Sequence, residues 1–336
     1  MNSQEIFIFE YISGGGFNRI QIPSSLLCEG YSMLRSLISD FSKVGFKIKT
    51  LLDKRIEFLS SFLDADKILS VSSKENFITK FSQMLNETTY CFIIAPEFSK
   101  ILYNLTKKAL KSKSILLSQN VKAIKLGSSK FVTFDYFKKK RLPTPRTFKF
   151  NVRDGIFEIE KLFREGKIKF PFIIKPDEGV GAENVFLVQS TNSLTYIFNH
   201  LEDILKDNKY VVQEYIDGIG LSGSILGIKN TQRITKSRCK LLSINFQNIS
   251  FKDEFHDSEY LGGYTPYDVE ESLKKKIRIY LKLLKSPDLS GYFGVDFVLS
   301  NEKINFIEIN PRLTTSYLGL RNVLGYNPAE IIYKAK

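Results

Sequence analysis

Residues 291–316 read G-Y-F-G-V-D-F-V-L-S-N-E-K-I-N-F-I-E-I-N-P-R-L-T-T-S. Residues 291–299 are rich in aromatic and β-branched side chains, and residues 304–310 are equally strand-like. The polar Ser300-Asn301-Glu302-Lys303 between them has turn chemistry, so the stretch is a hairpin. Strict alternation in the second strand sends Ile304, Phe306, Glu308 and Asn310 to one face and Asn305, Ile307 and Ile309 to the other. A three-residue loop, 301–303, pairs Ser300 with Ile304 and sets Asp296 opposite Glu308. Opposed carboxylates destabilise a ladder, and the arrangement makes sense if something positive sits between them. The amide oxygen of Asn310 supplies a third hard ligand, and an oxygen-only set of this kind suits Mg²⁺ or Mn²⁺. A solvated surface hairpin is the alternative. Phe293, Val295, Phe297 and Val298 around Asp296 argue instead for a buried sheet. Arg312 follows directly behind Pro311, and a guanidinium beside metal-binding acids suggests a phosphate-handling site.

At 336 residues the chain is long enough for two or three core-bearing units, and 43% hydrophobic with 25% charged residues is an ordinary globular balance. No run reaches the roughly 20 apolar residues of a membrane span. The N-terminus lacks the basic start, apolar stretch and cleavage site of a signal peptide. Cys28, Cys91 and Cys239 are an odd number without C-x-x-C spacing, which gives neither a disulfide framework nor a zinc site and favours a reducing cytoplasm. With His200 and His256 the only histidines, imidazole-based triads and metal sites are nearly excluded. The net charge of +13 admits nucleic acid, an anionic small substrate or compositional drift. The lysines are scattered apart from residues 138–141, and no aromatic-basic RNA signature is present, so nucleic acid is disfavoured.

Along the chain, residues 6–9 form a first strand running into Gly14-Gly15-Gly16, which reads as a tight or ligand-approaching turn, or as a flexible loop. An amphipathic helix follows from about residue 27 and ends before Gly45. Strand-like segments at 46–52, 68–71, 91–95 and 115–117 alternate with helical patterns at 74–86 and 99–111, which implies a parallel α/β layer. Two helices, 120–126 and 129–140, lead to the Pro-bounded connector 142–147. A strand at 170–176 ends near Lys175, and its loop carries Gly179 and Gly181, whose amides are suited to phosphates, beside Asp177, Glu178 and Glu183. Next come a strand at 185–188, a helix at 191–206, a strand at 210–218 and antiparallel strands at 222–228 and 234–244. A Gly- and Tyr-rich loop at 257–267, suited to substrate contact, precedes a helix at 269–284 capped by Asp268.

The order of these pieces carries a resemblance. Lys130 opens a helix, followed by P-T-P at 143–145 and F-P-F-I-I-K-P at 170–176 with its glycine loop. V-V-Q-E-Y-I-D-G at 211–218 comes next, then G-V-D-F at 294–297 and I-E-I-N-P-R at 307–312. From about residue 120 to 320 the chain resembles the ATP-grasp superfamily. The resemblance implies a mixed α/β and α+β architecture. Its parts are a Rossmann-like pre-ATP-grasp layer (1–118), a helical connector with a small lid subdomain (119–212) and a C-terminal antiparallel sheet with the metal site (213–336). It implies that Lys130, Lys175 and the Gly179–Gly181 loop hold nucleotide phosphates. The Gln213–Ile216 hinge meets adenine through the Glu214 and Ile216 backbones, and Asp296, Glu308 and Asn310 bind one or two Mg²⁺ or Mn²⁺ ions. Arg312 steadies the transferred phosphoryl group. Many members place an acid after the hinge for the ribose; here Gly220 and Leu221 stand there.

Within the superfamily, F-E-Y-I-S-G-G-G (9–16), L-L-C-E-G-Y-S-M-L (26–34), Y-L-G-G-Y-T-P (260–266) and E-I-N-P-R-L-T-T-S-Y-L-G-L-R (308–321) are similar to the archaeal ligases that join tyramine to glutamate in methanofuran synthesis. The implied activity is ATP-dependent joining of a carboxylate to an amine through an acyl-phosphate. Small-molecule substrates are the partners, with no membrane, and a homodimer is compatible. Glu10, Glu29, Tyr317 and Arg321 are candidate substrate contacts. Another ATP-grasp amino-acid ligase, or a nucleotide-binding protein without turnover, remains open at this point.

Overall fold

The computed structural model describes residues 4–151, 156–179, 181, 183–205, 209–228, 238–251, 255–284 and 288–336. Three sheets form its frame. The first is parallel, with strands β1 (Glu5–Glu10), β2 (Lys47–Asp53), β3 (Lys67–Val71), β4 (Tyr90–Ile94) and β5 (Ile115–Leu116) in the order β3-β2-β1-β4-β5. The central strand is apolar on both faces, as a sheet covered by helices on both sides requires, and Ile6, Phe7, Ile8 and Phe9 are fully buried. α1 (Ser24–Val44) covers one face through Leu34, Leu37, Ile38 and Phe41. α2 (Phe77–Glu87) and α3 (Ile101–Ala109) cover the other through Phe81, Met84, Leu102 and Leu105. Gly45 stops α1 in the left-handed region at φ 99°, donating its N–H to Phe41 and Ser42. The triple glycine is a tight, largely buried turn: a Cβ on Gly15 would lie 2.8 Å from Val71, and one on Gly14 2.6 Å from the Phe9 ring. Packing against the sheet, rather than ligand approach, accounts for these glycines.

After α4 (Val121–Gly127) and α5 (Lys130–Lys139) comes a small antiparallel sheet of β6 (Thr147–Asn151), β7 (Phe172–Pro176), β8 (Phe186–Val188) and β9 (Lys209–Glu214), ordered β6-β9-β7-β8. α6 (Ile156–Arg164) and α7 (Thr191–Leu205) bury Ile159, Leu194 and Ile197 against it. Neither β6 nor α6 was legible in the sequence; both are short, and β6 follows the prolines of the connector. The expected helix end at residue 206, the start of the expected strand at 234–237, and Val180 and Ala182 of the glycine loop lie outside the described residues.

The third sheet is antiparallel, ordered β12-β11-β10-β13-β14, from β10 (Ile219–Ile228), β11 (Arg238–Ser250), β12 (Glu259–Tyr264), β13 (Gly291–Ser300) and β14 (Lys303–Asn310). β12 occupies the Gly- and Tyr-rich segment expected to be loop, where pairing along the β11 edge overrides its glycines. α8 (Glu271–Leu281) starts later than expected: Glu270 is its N-cap, while Asp268 pairs with the Lys274 ammonium 3.3 Å away. Ile277 and Leu281 of α8, with Ala123 of α4 and Phe137 of α5, pack on one face of the sheet. The chain ends in α9 (Leu320–Leu324) and α10 (Pro328–Lys334), which return to α1. No described helix is long and apolar enough to cross a membrane.

The hairpin differs from expectation in an instructive way. Its turn is two residues, Asn301 and Glu302, with φ 45° and 60°, and Ser300 pairs with Lys303. That register alone would set Asp296 against Ile307. A bulge between Phe297↔Phe306 and Asp296↔Glu308 adds one residue and restores the carboxylate opposition. The bulge also re-aims the strand. Ile304, Phe306 and Ile309 all enter the core, so strict alternation placing Ile304 and Phe306 with Glu308 and Asn310 does not hold.

Candidate functional site

Two cavities meet at this hairpin. The first, about 240 Å³, lies between the small and large sheets and is lined by Lys130, Lys175, Gly181, the 213–216 hinge, Gln247, Asp296 and Glu308, among others. The second, about 920 Å³, opens between the large sheet and the N-terminal layer, and Gly181, Gln247, Asp296 and Glu308 belong to its wall too. The carboxylate pair is therefore the seam between a smaller pocket and a wider cleft.

Local structure fixes each group. Lys130 opens α5, and its buried ammonium lies 3.7 Å from Glu308 Oε2 and 3.4 Å from the Gly179 carbonyl. The helix start is tied to the loop after β7 by Asp177, whose carboxylate accepts from the Phe131 N–H at 2.8 Å and from the Ser129 hydroxyl at 2.8 and 2.9 Å. Asp177 therefore serves the lysine's helix and does not oppose a phosphate. Lys175, on β7, is buried and has no hydrogen-bond or ion-pair partner among the described residues. Burial pushes its pKa down to about 8; the Lys130 charge adds to this, and Glu308 and Asp296 act against it. A buried, unpartnered ammonium facing a pocket is suited to an anion.

At the hinge, Gln213 is buried with its amide donating to Thr147 Oγ1 at 2.8 Å. The Glu214 N–H is donated to the Arg146 carbonyl at 2.9 Å and so is already engaged. Ile216 lines the same pocket. Gly220 also lines it, whereas Leu221 is fully buried in the core of the large sheet.

The carboxylates carry opposite shifts. Burial, then the Glu308 charge, pushes Asp296 up to about 7, against hydrogen bonds from Asn310 and Gln247. Burial also acts to raise Glu308, but Lys130, Lys175 and Arg312 together outweigh it and hold Glu308 below the usual carboxylate range. Asn310 Nδ2 donates to Asp296 Oδ2 at 2.9 Å, a bond that does not use its amide oxygen. No cluster of three or more His, Cys, Asp or Glu side chains able to hold a metal exists among the described residues. Two carboxylates and an amide oxygen fit an ion that keeps waters and takes its other ligands from phosphates, as Mg²⁺ does.

Arg312 is half-buried, and its Nε donates to both oxygens of Glu97 at 3.0 and 2.9 Å. Glu97 follows β4, so an acid of the N-terminal layer orients the guanidinium. Gln247 and Glu97 escaped the sequence reading. Gln247 sits at an irregularity of β11, and Glu97 is 215 residues from its partner, so neither has a local signal.

The four candidate substrate contacts separate. Glu10 and Glu29 line the larger cleft. Both Glu10 oxygens are engaged by the Ile12–Gly16 turn, through the Ile12 N–H at 2.9 Å and the Ser13 N–H and hydroxyl at 2.6 and 2.7 Å. Tyr317 and Arg321 close instead on Asp40 of α1, the phenol donating at 2.7 Å and the guanidinium forming an ion pair. They follow β14 closely in sequence, but the turn Thr315–Gly319 and the start of α9 carry them toward α1.

The free-enzyme pKa values give a pH expectation. If Asp296 holds a metal and Lys175 a nucleotide phosphate, binding needs the first ionised and the second charged. The kcat/KM for ATP should therefore rise as pH passes about 7 and fall above about 8. A pH series at saturating second substrates checks it, and Lys175→Arg should remove the alkaline fall.

A pocket of about 240 Å³ between two antiparallel sheets, beside a parallel α/β layer, is the arrangement by which one class of ATP-dependent enzymes grips its nucleotide between sheets. Residues 127–316 match the sequence profile described as ATP-grasp domain, and residues 46–124 the pre ATP-grasp 3 domain. The chain belongs to the ATP-grasp superfamily. The tyramine–L-glutamate ligase of Methanocaldococcus jannaschii is 29% identical across 98% of this chain and 89% of its own length. An ATP-grasp superfamily protein of Archaeoglobus fulgidus has the same fold at 24% identity, with TM-score 0.69 over 99% of this chain and 89% of that one. An L-amino acid ligase of Bacillus licheniformis, 15% identical, reaches TM-score 0.66 over 99% and 76%.

Proposed function

We propose that the chain activates a substrate carboxylate as its acyl-phosphate and joins it to a small amine, with L-glutamate and tyramine the first pair to try. The observation behind this reading is the seam: the nucleotide pocket and the larger cleft share Asp296 and Glu308. Lys130, Lys175 and the Gly179–Gly181 loop would hold the phosphates, and Glu214 and Ile216 the adenine edge. Asp296, Glu308 and Asn310 would hold one or two Mg²⁺ or Mn²⁺ ions, which neutralise phosphate charge when bound. The substrate carboxylate attacks the γ-phosphorus and displaces ADP, while Lys130, Lys175 and Arg312 face the negative charge spread over the phosphoryl oxygens. The amine then attacks the acyl carbon and displaces phosphate. The segments 1–118, 119–212 and 213–336 would act as cleft wall, lid with connector, and catalytic sheet, in a reducing cytoplasmic setting. β9, which ends at Glu214, crosses the second of these boundaries.

The supporting experiment measures ADP release with ATP, Mg²⁺, L-glutamate and tyramine. Release that requires both substrates and matches amide formed supports the pair. Release with glutamate and a different amine keeps the ligase reading and replaces the acceptor. Hydrolysis that no carboxylate stimulates contradicts the proposal.

A further inference from the structure

The N-terminal layer presents two acids to the larger cleft, and they differ in what they already do. Glu10 is spent on the turn that follows it. Glu29, one turn and a half into α1, has no hydrogen-bond or ion-pair partner among the described residues. The cation whose charge it feels is Arg312, which acts against the effect of burial. Arg312, however, gives its Nε to both oxygens of Glu97 and an Nη to the Leu313 carbonyl at 3.2 Å. Glu29 is therefore a carboxylate left without a dedicated counter-ion in a cleft wall. A partly buried charge of this kind is costly unless a ligand satisfies it.

Its position is fixed by close packing. Gly30 follows it, and a Cβ there would come within 2.7 Å of the Glu10 carboxyl, so α1 lies tight against β1 at this point. Across the cleft stands Tyr260 of β12, which hydrogen-bonds with Thr315. Burial first, and then the charges of Glu29 and Asp296, raise its phenol, so one side chain feels both the Glu29 wall and the metal-binding pair. The opposite wall offers donors: Ser222, Asn245, Thr314 and Ser316 line it beside Arg312. Asn245 Nδ2 donates to Ser222 Oγ at 3.2 Å, and Tyr292 links Ser224, Thr314 and Ser316 at 3.0, 2.8 and 3.4 Å. Donors and a guanidinium on one side suit the carboxylate partner; the unengaged Glu29 carboxylate on the other suits a cation.

We infer that Glu29 is the acceptor-amine site: it receives a primary amine as its ammonium ion and takes the proton that must leave before nitrogen attacks. This deepens the ligase reading and rests on it. The ammonium gives one proton to the Glu29 carboxylate. As the neutral nitrogen forms its bond to the acyl carbon, the bond from that carbon to the phosphate oxygen breaks. The second N–H proton leaves with the departing phosphate, and Glu29 then releases its own proton to solvent.

Hydroxylamine separates this role from the rest of the reaction. It is neutral at pH 7 and traps acyl-phosphates as hydroxamates, so it needs neither ammonium capture nor a base. Wild type and Glu29→Gln are compared in two assays with ATP, Mg²⁺ and L-glutamate: hydroxamate formation with hydroxylamine, and amide formation with tyramine and a panel of alkylamines. The expected result is hydroxamate formation at the wild-type rate and a loss of about 10²-fold or more in kcat/KM for the amine that wild type uses. Glu29→Asp should recover part of that loss. Unchanged amide formation in Glu29→Gln overturns the inference. So does an equal loss in both assays, which would give Glu29 a part in activation or folding. So does a wild type that makes hydroxamate but uses no cationic amine. A wild type whose ATP turnover no carboxylate stimulates overturns the ligase reading itself, and this inference with it.

Discussion

Glu308→Gln and Asp296→Asn are each expected to cut ATP turnover by about 10³-fold or more while leaving the chain folded. Both changes keep side-chain volume at the seam between the two cavities, so the loss reports the missing charge and not a packing defect. Asp296→Asn has a second expected effect with a definite sign. In the metal-free protein, burial and the Glu308 charge raise the Asp296 pKa to about 7. The folded state thus holds a proton that the unfolded chain gives up at lower pH. Stability linked to this group is present in acid and is lost as pH rises from the ordinary carboxylate range to about 7. The amide removes that penalty. Melting in chelator should show Asp296→Asn more stable than wild type at neutral pH, with the gain vanishing in acid. A variant that is both more stable and inactive is what an acid retained for ligand binding produces. Near wild-type turnover in a well-folded Glu308→Gln protein would remove the metal assignment.

Arg312→Ala should fail in two ways that can be separated. Glu97 is 4% exposed and gives both oxygens to this guanidinium, so truncating the arginine leaves a buried charge unpaired, at about 3–5 kcal/mol. The same change removes a cation from the place where phosphoryl charge develops, so activity should fall even where the protein stays folded. Adding Glu97→Gln to Arg312→Ala should restore most of the stability and none of the activity. Glu97→Gln alone should retain part of the activity, because the guanidinium remains but is less firmly aimed. If the double variant recovers turnover along with stability, Arg312 serves only to join the N-terminal layer to the sheet. Urea unfolding and kcat on the same preparations decide the matter.

How much of this was legible in the sequence depends on the range of each interaction. The lysines, the hinge and the metal hairpin lie in segments whose local pattern fixes a strand or a helix start, and the structure brings Lys130, Lys175, Gln213, Asp296 and Glu308 around one pocket. The hairpin shows the limit of that reading. Asp296 does oppose Glu308, but through a two-residue turn plus a bulge instead of a three-residue loop, and no composition signal announces a bulge. Strict alternation therefore misassigned the faces on either side of it. Tyr317 and Arg321 follow the hairpin closely in sequence, yet Asp40, 277 and 281 residues away, claims them. Glu97 and Gln247 became visible only once three sheets were assembled. Contacts between distant segments, such as the wall that α1 contributes to the cleft, have no periodicity to betray them.

The central claim is that the carboxylate seam lets a substrate carboxylate attack the nucleotide directly. Its most direct test is the fate of a carboxylate oxygen. L-glutamate labelled with heavy oxygen in its carboxylates is turned over with ATP, Mg²⁺ and an accepted amine, and the released phosphate is examined by mass spectrometry. An acyl-phosphate route places one labelled oxygen in each phosphate released. Unlabelled phosphate, formed in step with the amide, would contradict it.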